Sequence, residues 1–441
     1  MKIVTKEESA ELLERPFEER KEEMRRVKEI VGNVAERGDE AVFEYEERFD
    51  KTILSKETFR VSEEEYEAAY KEVSPELLES LRLAIRNIYG YHSRAGRKEH
   101  IVTENGRTTG YVIRPVERAG IYVPGGTAPL SSSVLMAVLP AKAAGVEHII
   151  VATPAKEGKV HPLTLVAAKE CGAEAVFKMG GAQAVAALAY GTESVPKVDV
   201  IAGPGNIYVT LAKKEVYGQV GIDMLAGPSE ILIVADESAD PDWVAADVLS
   251  QAEHDVLARA IVVTTDRGLA ERISERVDVR LAVLPRREIA ERSLLSSGGI
   301  ILTDTLDEAA GISNKIAPEH LELYVKDPDA LLPKIRNAGA VFMGAYTPEP
   351  VGDYFAGPDH ILPTGGSARF FEVLNEDVFT RKMSVIRYTQ EALKEDGKHI
   401  VQLAESESLM AHARAVTARL GEENKWELRT SKERPKRRRS R

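Results

Sequence analysis

Between about residues 105 and 373 the chain alternates short runs of apolar, β-branched residues with stretches of helical periodicity. The apolar runs fall at 148–152, 175–177, 198–201, 231–234, 260–263 and 300–302. Helix-patterned segments lie between them at 163–170, 182–190, 243–254 and 269–277. Strand–helix alternation at this spacing predicts βαβ units, and uninterrupted apolar strands predict parallel sheets covered on both faces. The units outnumber what one six-stranded sheet needs, so two sheets are expected. The fold class is α/β.

The flanks differ in texture. Residues 1 to about 100 are rich in Glu, Lys and Arg, with apolar residues at helical spacing (Val27, Ile30, Val31, Val34). That is the pattern of amphipathic helices with solvated charged faces. Pro16 separates a short first helix from the next, so 1–16 reads as a helical arm. From about 374 the helical texture returns, and the chain ends in a basic run at 432–441 that reads as a solvated tail.

At 441 residues more than one domain is expected, and 43% hydrophobic with 29% charged residues is a globular composition. A net charge of −12 speaks against a nucleic-acid-binding body, which needs a basic surface. The first residues lack an apolar signal region, and no run of about 18 apolar residues occurs. The single cysteine, Cys171, cannot form an internal disulfide. The chain therefore reads as cytoplasmic, with no membrane partner.

Several residues can carry chemistry. Gln251 and His254 close the helical stretch 242–254, three apart and on one face, so both can reach one ligand. A glutamine oxygen is an uncommon metal ligand, and a surface helix end accounts for the pair equally well. Asp353 and His360 stand in a Gly/Pro-rich loop after the run 340–342, and open α/β sheets place ligands beyond the carboxyl ends of their strands. Glu319 and His320 are adjacent acid/base candidates just before the run 321–325. They can serve one reaction only from a loop or strand entrance, because neighbours within a strand face opposite ways. Glu407 and His412 are five apart and converge only if a helix begins between them.

No Gly-x-Gly-x-x-Gly occurs. Gly203-Pro204-Gly205-Asn206, 124–129 and Gly180-Gly181-Ala182-Gln183 are glycine-rich turns that suit either a phosphate or a plain tight turn. Cys171 precedes Gly172, a helix stop, and reads as a buried helix-end thiol.

Taken together, these segments resemble histidinol dehydrogenase along nearly the whole chain. The family's signature appears as Ile222-Asp223, Ala226-Gly227-Pro228-Ser229-Glu230, Ala239, Gln251 and Glu253-His254. The likeness continues through Tyr122-Val123-Pro124-Gly125-Gly126, Gly180-Gly181-Ala182-Gln183-Ala184, Gly203-Pro204-Gly205-Asn206 and Ala317-Pro318-Glu319-His320-Leu321. It extends to His360-Ile361-Leu362-Pro363-Thr364 and the segment from Glu407 to His412.

The resemblance implies a zinc- and NAD-dependent enzyme that oxidises L-histidinol through L-histidinal to L-histidine, in histidine biosynthesis. Carried over motif by motif, Gln251, His254, Asp353 and His412 hold one Zn2+ per subunit. Glu319 and His320 are the catalytic acid/base pair. The substrate meets Ser229, Gln251, His254, His320, Asp353, His360, Glu407 and His412; NAD meets Tyr122, Gln183 and Asn206. The family is a homodimer with a site shared between subunits, so Glu407 and His412 are expected to act in trans.

The implied architecture is aldehyde-dehydrogenase-like, with two incomplete Rossmann-like domains and small helical arms. The expected division is 1–16 (arm), 17–121 with 229–373 (main domain), 122–228 (inserted nucleotide-binding-like domain) and 374–441 (helical arm with basic tail). His320 would accept the alcohol proton. With no suitable thiol, Glu319 would activate water for the second oxidation. A zinc/NAD dehydrogenase of another small polar alcohol is the alternative; the presence of both His360 and Glu407 disfavours it.

Overall fold

The computed structural model describes residues 1–15, 20–125 and 130–421. Pro16, part of the turn 124–129 and the basic run 432–441 lie outside the described residues.

Two compact units are present. The first comprises Met1–Gly96 and Pro115–Thr380, and carries two parallel sheets. One sheet has six strands in the order Ile3–Thr5, Gly299–Leu302, Arg259–Thr264, Glu230–Ala235, His320–Tyr324, Ala340–Met343. Each neighbouring pair is parallel. The other has five, in the order Ala175–Lys178, His148–Thr153, Arg118–Tyr122, Val200–Ala202, Gly221–Ile222, again all parallel. The expected α/β class with two parallel sheets is what the first unit forms, and a third, three-stranded sheet lies in the second unit.

Alternation along each strand explains the layering. In Glu230–Ala235, Ile231 and Ile233 pack with Val244, Val248 and Ile273 from the helices Pro241–Ala252 and Arg267–Leu281. Leu232 and Val234 face the opposite way, toward Ala309, Ile312 and Ile316 of Leu306–Ile316. Both faces of this sheet are therefore dry, which is why its strands read as unbroken apolar runs.

The amino-terminal segment departs from expectation. Residues 1–16 are not simply a helical arm: Ile3–Thr5 is an edge strand of the six-stranded sheet, pairing with Ile300 and its neighbours. Leu12, from the short helix Ala10–Leu13, packs so tightly on Gly299 that a Cβ there would stand 2.4 Å from it. The helices that follow bury their apolar faces on the five-stranded lobe, not on the six-stranded one with which 17–121 is grouped above. Val27, Ile30, Val31 and Val34 of Lys21–Arg37 meet Ala182, Val185 and Leu188. Leu81, Ala84 and Ile88 of Pro75–Ala95 meet Val134, Leu135 and Val138.

The second unit comprises Arg97–Arg114 and the chain from Arg381. The segment from 374, expected to be helical, carries the strand Thr380–Tyr388, in one sheet with the antiparallel hairpin His100–Glu104/Arg107–Pro115. Asn105 and Gly106, at φ 48° and 75°, make the tight hairpin turn. Arg107 is held by Asp396 at 2.8 Å and Glu395 at 2.7 Å from the helix Gln390–Ser406. That helix packs on Met410–Arg419 at Gly397, where a Cβ would lie 2.6 Å from Leu420. Among the described residues no helix is long and apolar enough to cross a membrane.

Candidate active site

The chemical groups gather at the amino ends of the central strands of the six-stranded sheet, around His320. This is the first residue of its strand, and Glu319 stands immediately before it. Both side chains are buried, with Glu319 Oε2 3.7 Å from His320 Nδ1, so the strand entrance lets neighbours face one place. Glu230, first in the adjacent strand, fixes both. Its N–H donates to Glu319 Oε2 at 2.8 Å, and its carbonyl lies 3.1 Å from His320 Nδ1. Arg15 in turn clamps the Glu230 carboxylate through Nε at 2.8 Å and Nη2 at 2.6 Å.

A carbonyl only accepts, so Nδ1 of His320 carries the proton and donates to Glu230. Nε2 then keeps its lone pair. It is buried with no hydrogen-bond partner among the described residues, 3.8 Å from both Glu349 Oε1 and Asp353 Oδ1. Burial pushes the His320 pKa down against the raising effect of the Asp353 charge, which favours neutral imidazole. Burial also raises Glu319 well above the usual carboxylate range, against the Glu230 N–H.

Gln251 lies on the last turn of Pro241–Ala252, fully buried. The helix ends two residues earlier than 242–254 implies, and a turn closed by His254 N–H to Gln251 carbonyl (3.2 Å) carries the chain on to an exposed His254. With the Gln251 amide oriented so that its nitrogen, not its oxygen, faces these acceptors, that nitrogen lies 3.2 Å from each Glu349 carboxylate oxygen. It also lies 3.1 Å from His320 Nδ1, but that nitrogen already donates to the Glu230 carbonyl, so Glu349 is its acceptor. The amide oxygen is thereby turned the other way.

Asp353 is not in a loop: it belongs to the short helix Glu349–Tyr354, one turn after Glu349. Burial first, then the Glu349 charge, raises its pKa to about 7; Glu349 itself is pushed up to about 8 by burial. His360 donates through Nδ1–H to the Asp353 carbonyl (3.0 Å), with Ser133 Oγ 3.5 Å from its Nε2, and burial lowers its pKa to about 4. Ser229 precedes Glu230, half-buried, its carbonyl accepting from Arg259 N–H.

Could a cation fit? One donor atom each of His320, Glu349 and Asp353 lie within 4.8 Å of one another. They stand by the carboxyl end of Pro241–Ala252, whose partial negative charge also favours a cation. Hard oxygen and imidazole donors of this kind suit a divalent ion. Of the expected ligand set, Gln251 and Asp353 meet at this cluster. Glu407 and His412 belong to the second unit, where both are exposed. A helix does begin between them: Gln390–Ser406 ends, Ser408 takes φ 62°, and Met410–Arg419 starts.

Sequence reasoning missed Glu349, Glu322 and Asp247. Glu322 Oε1 accepts from Glu349 N–H at 3.1 Å, and burial raises its pKa well above the usual range; Asp247 is raised to about 6. Signals were available for two of them: Glu322 follows His320 by two in a strand, and Asp247 precedes Gln251 by four on a helix.

The three residues expected at NAD line one cavity of about 780 Å³ in the five-stranded lobe, with Arg25, Arg48, Phe49 and Gly181 among its walls. They sit at the carboxyl ends of strands. Tyr122 ends its strand and accepts from Gly181 N–H at 3.1 Å; Gln183 is 1% exposed; Asn206 caps Ile207–Val216 by accepting from Tyr208 and Val209 N–H at 3.0 and 3.2 Å. The signature's Asp223 is structural, ion-paired with buried Lys213 and accepting from Gly203 N–H. Gly203 takes φ +118° against the Tyr122 carbonyl, an approach no Cβ permits. Cys171 ends its helix fully buried, and burial drives its thiol far above the ordinary value, so it supplies no thiolate.

The histidinol dehydrogenase family model matches residues 13–420. The chain is similar to histidinol dehydrogenase of Moorella thermoacetica, 54% identical over 396 residues covering 89% of this chain and 93% of that protein. For the protein of that name from Carboxydothermus hydrogenoformans the identity is 48% over 422 residues, 96% of this chain and 99% of the other. The crystal structure of histidinol dehydrogenase from Elizabethkingia anophelis matches with a TM-score of 0.91 at 38% identity, covering 96% of this chain and 98% of that one.

Proposed function

The chain belongs to the histidinol dehydrogenase family, and from that premise we infer that it oxidises L-histidinol through L-histidinal to L-histidine with two NAD and one zinc ion per subunit. When bound, NAD supplies the hydride acceptor and zinc a Lewis acid that grips the substrate. Gln251, His254 and Asp353, with His412 of the partner subunit, would hold the zinc. Tyr122, Gln183 and Asn206 would meet NAD, in a cavity whose size falls within the roughly 300–1,000 Å³ of small-molecule sites.

The observation that carries the chemistry is the state of His320. Its Nδ1–H is pinned to the Glu230 carbonyl, leaving a buried, unpartnered Nε2 as a general base for the alcohol proton. Glu319, oriented by the Glu230 N–H, takes in its ionised form a proton from the water that adds to the aldehyde. His320 returns its proton to the aldehyde oxygen as the gem-diol forms and then accepts again in the second oxidation. Ser229, His360 and the partner's Glu407 complete the grip on the substrate. The working form is a cytoplasmic homodimer with the five-stranded lobe as its nucleotide-binding part.

Stoichiometry tests this reading: two NADH should form per histidinol consumed, with histidinol preferred over other polar alcohols. One NADH per substrate would leave a simple alcohol dehydrogenase and overturn it.

A further inference from the structure

We propose that Glu46 is a positioning residue of the dinucleotide cavity: it turns the Gln183 amide so that its carbonyl oxygen receives an exocyclic amino group of the cofactor. This rests on reading that cavity as the NAD site.

Glu46 opens the five-residue π-helical turn Glu46–Asp50, a local widening that recurs at functional sites. The residue is wholly buried. Its Oε1 accepts from Gln183 Nε2 at 2.9 Å and from Gly180 N–H at 2.8 Å. A buried carboxyl is a strong, fixed acceptor, so it decides which end of the Gln183 amide faces inward. The nitrogen is committed to Glu46, and the oxygen points away from it.

On that side lies Gly181, a wall of the cavity. A Cβ on Gly181 would stand 2.9 Å from Gln183 Oε1, and its φ of +55° independently favours glycine. The space over the oxygen is thus kept clear. Among the described residues, no group donates a hydrogen bond to it. Tyr45 and Phe49, their rings stacked 5.6 Å apart at 6°, line the same cavity and offer apolar surface to a flat ring.

A dinucleotide carries two amino groups on flat rings, the adenine 6-amino group and the nicotinamide carboxamide. Both would present N–H donors to this acceptor. Two analogues separate them: nicotinamide hypoxanthine dinucleotide lacks the first, and 3-acetylpyridine adenine dinucleotide lacks the second.

The test compares kcat/KM for NAD and for each analogue in the full-length enzyme and its variants, so an analogue's own redox potential cancels between proteins. Wild type should discriminate against one analogue by about 10- to 100-fold, the effect of leaving a site's polar group unpaired. Glu46→Gln keeps an acceptor oxygen and should keep that ratio. Glu46→Leu should bring it within about three-fold of wild type's ratio for the tolerated analogue and raise KM for NAD about ten-fold, with KM for histidinol held. Equal use of both analogues by wild type, or full discrimination in Glu46→Leu, overturns the proposal.

Gln183→Leu leaves Glu46 in place and reads the same ratio should Glu46→Leu not fold. If it raises KM for NAD yet keeps the discrimination, the role of the Gln183 oxygen fails while the cavity reading stands. An unchanged KM for NAD in that variant would overturn the cavity reading itself.

Discussion

The two sheets of the first unit put opposite ends to use. The five-stranded sheet presents Tyr122, Gln183 and Asn206 beyond the carboxyl ends of its strands, where the helices Gly181–Tyr190 and Ile207–Val216 begin. Positive helix ends there suit an anionic dinucleotide. The six-stranded sheet instead gathers Glu319, His320 and Glu230 at the amino ends of its strands, beside the end of Pro241–Ala252. Carbonyl-rich helix ends and buried carboxylates suit a cation and proton transfer. One architecture, entered from opposite ends, yields two chemistries.

The sharpest way to break this division is metal removal. Chelation should abolish turnover and added zinc restore it, while NADH binding, followed by fluorescence, persists; full activity in metal-stripped enzyme would sink the zinc assignment. Next in size, Glu319→Gln should slow aldehyde oxidation by about 10²-fold or more, with a smaller effect on alcohol oxidation. Equal losses in the two half-reactions would give Glu319 a structural role only.

On the other sheet the effects are milder. Asn206→Ala removes a helix cap, so thermal unfolding should register a loss of about 1 kcal/mol together with a raised KM for NAD. An unchanged KM would reduce Asn206 to its capping role. Glu46 adds a pH signature. Burial, partly opposed by the Gly180 and Gln183 donors, pushes its carboxyl up to about 8 from the ordinary 4.5. The folded state therefore holds a proton that the unfolded chain releases, and this stabilisation, complete below the unfolded value, is lost as pH rises through about 8. Tm should decline between about pH 5 and about pH 8, and Glu46→Gln should flatten that decline; an identical profile in the variant would remove Glu46 as its source. Smallest of all, Cys171→Ser should leave turnover near wild type, and a large drop would reopen covalent catalysis.

Much of the sheet architecture was legible because dry strands must be apolar throughout: the runs 231–234 and 260–263 sit inside Glu230–Ala235 and Arg259–Thr264. The hairpin of the second unit was missed although Asn105-Gly106 announces its turn, since its strands are exposed or half-exposed and lack the apolar pattern. Glu319 and His320 could be placed at a strand entrance from Pro318 alone. Glu349 could not, because a carboxylate between two prolines looks like a surface turn until Glu322 and Gln251 close around it. The rule that ligands sit beyond carboxyl strand ends, applied to Asp353 and His360, pointed to the wrong end of the six-stranded sheet.

The pairing of Ile3 with Ile300 has a consequence for how the chain is made. Residues 21–222 contain the whole five-stranded sheet and its covering α-helices, with Ile361, Leu374 and Phe379 joining the core only later, so most of this lobe can close while synthesis is still under way. The strand Ile3–Thr5 precedes that lobe in the chain and finds no neighbour until Gly299–Leu302 follows. Contacts of such long sequence separation form late and slowly. The nascent chain thus carries an unpaired strand through most of its synthesis, and refolding from denaturant should show the five-stranded lobe protected against hydrogen exchange before the six-stranded one.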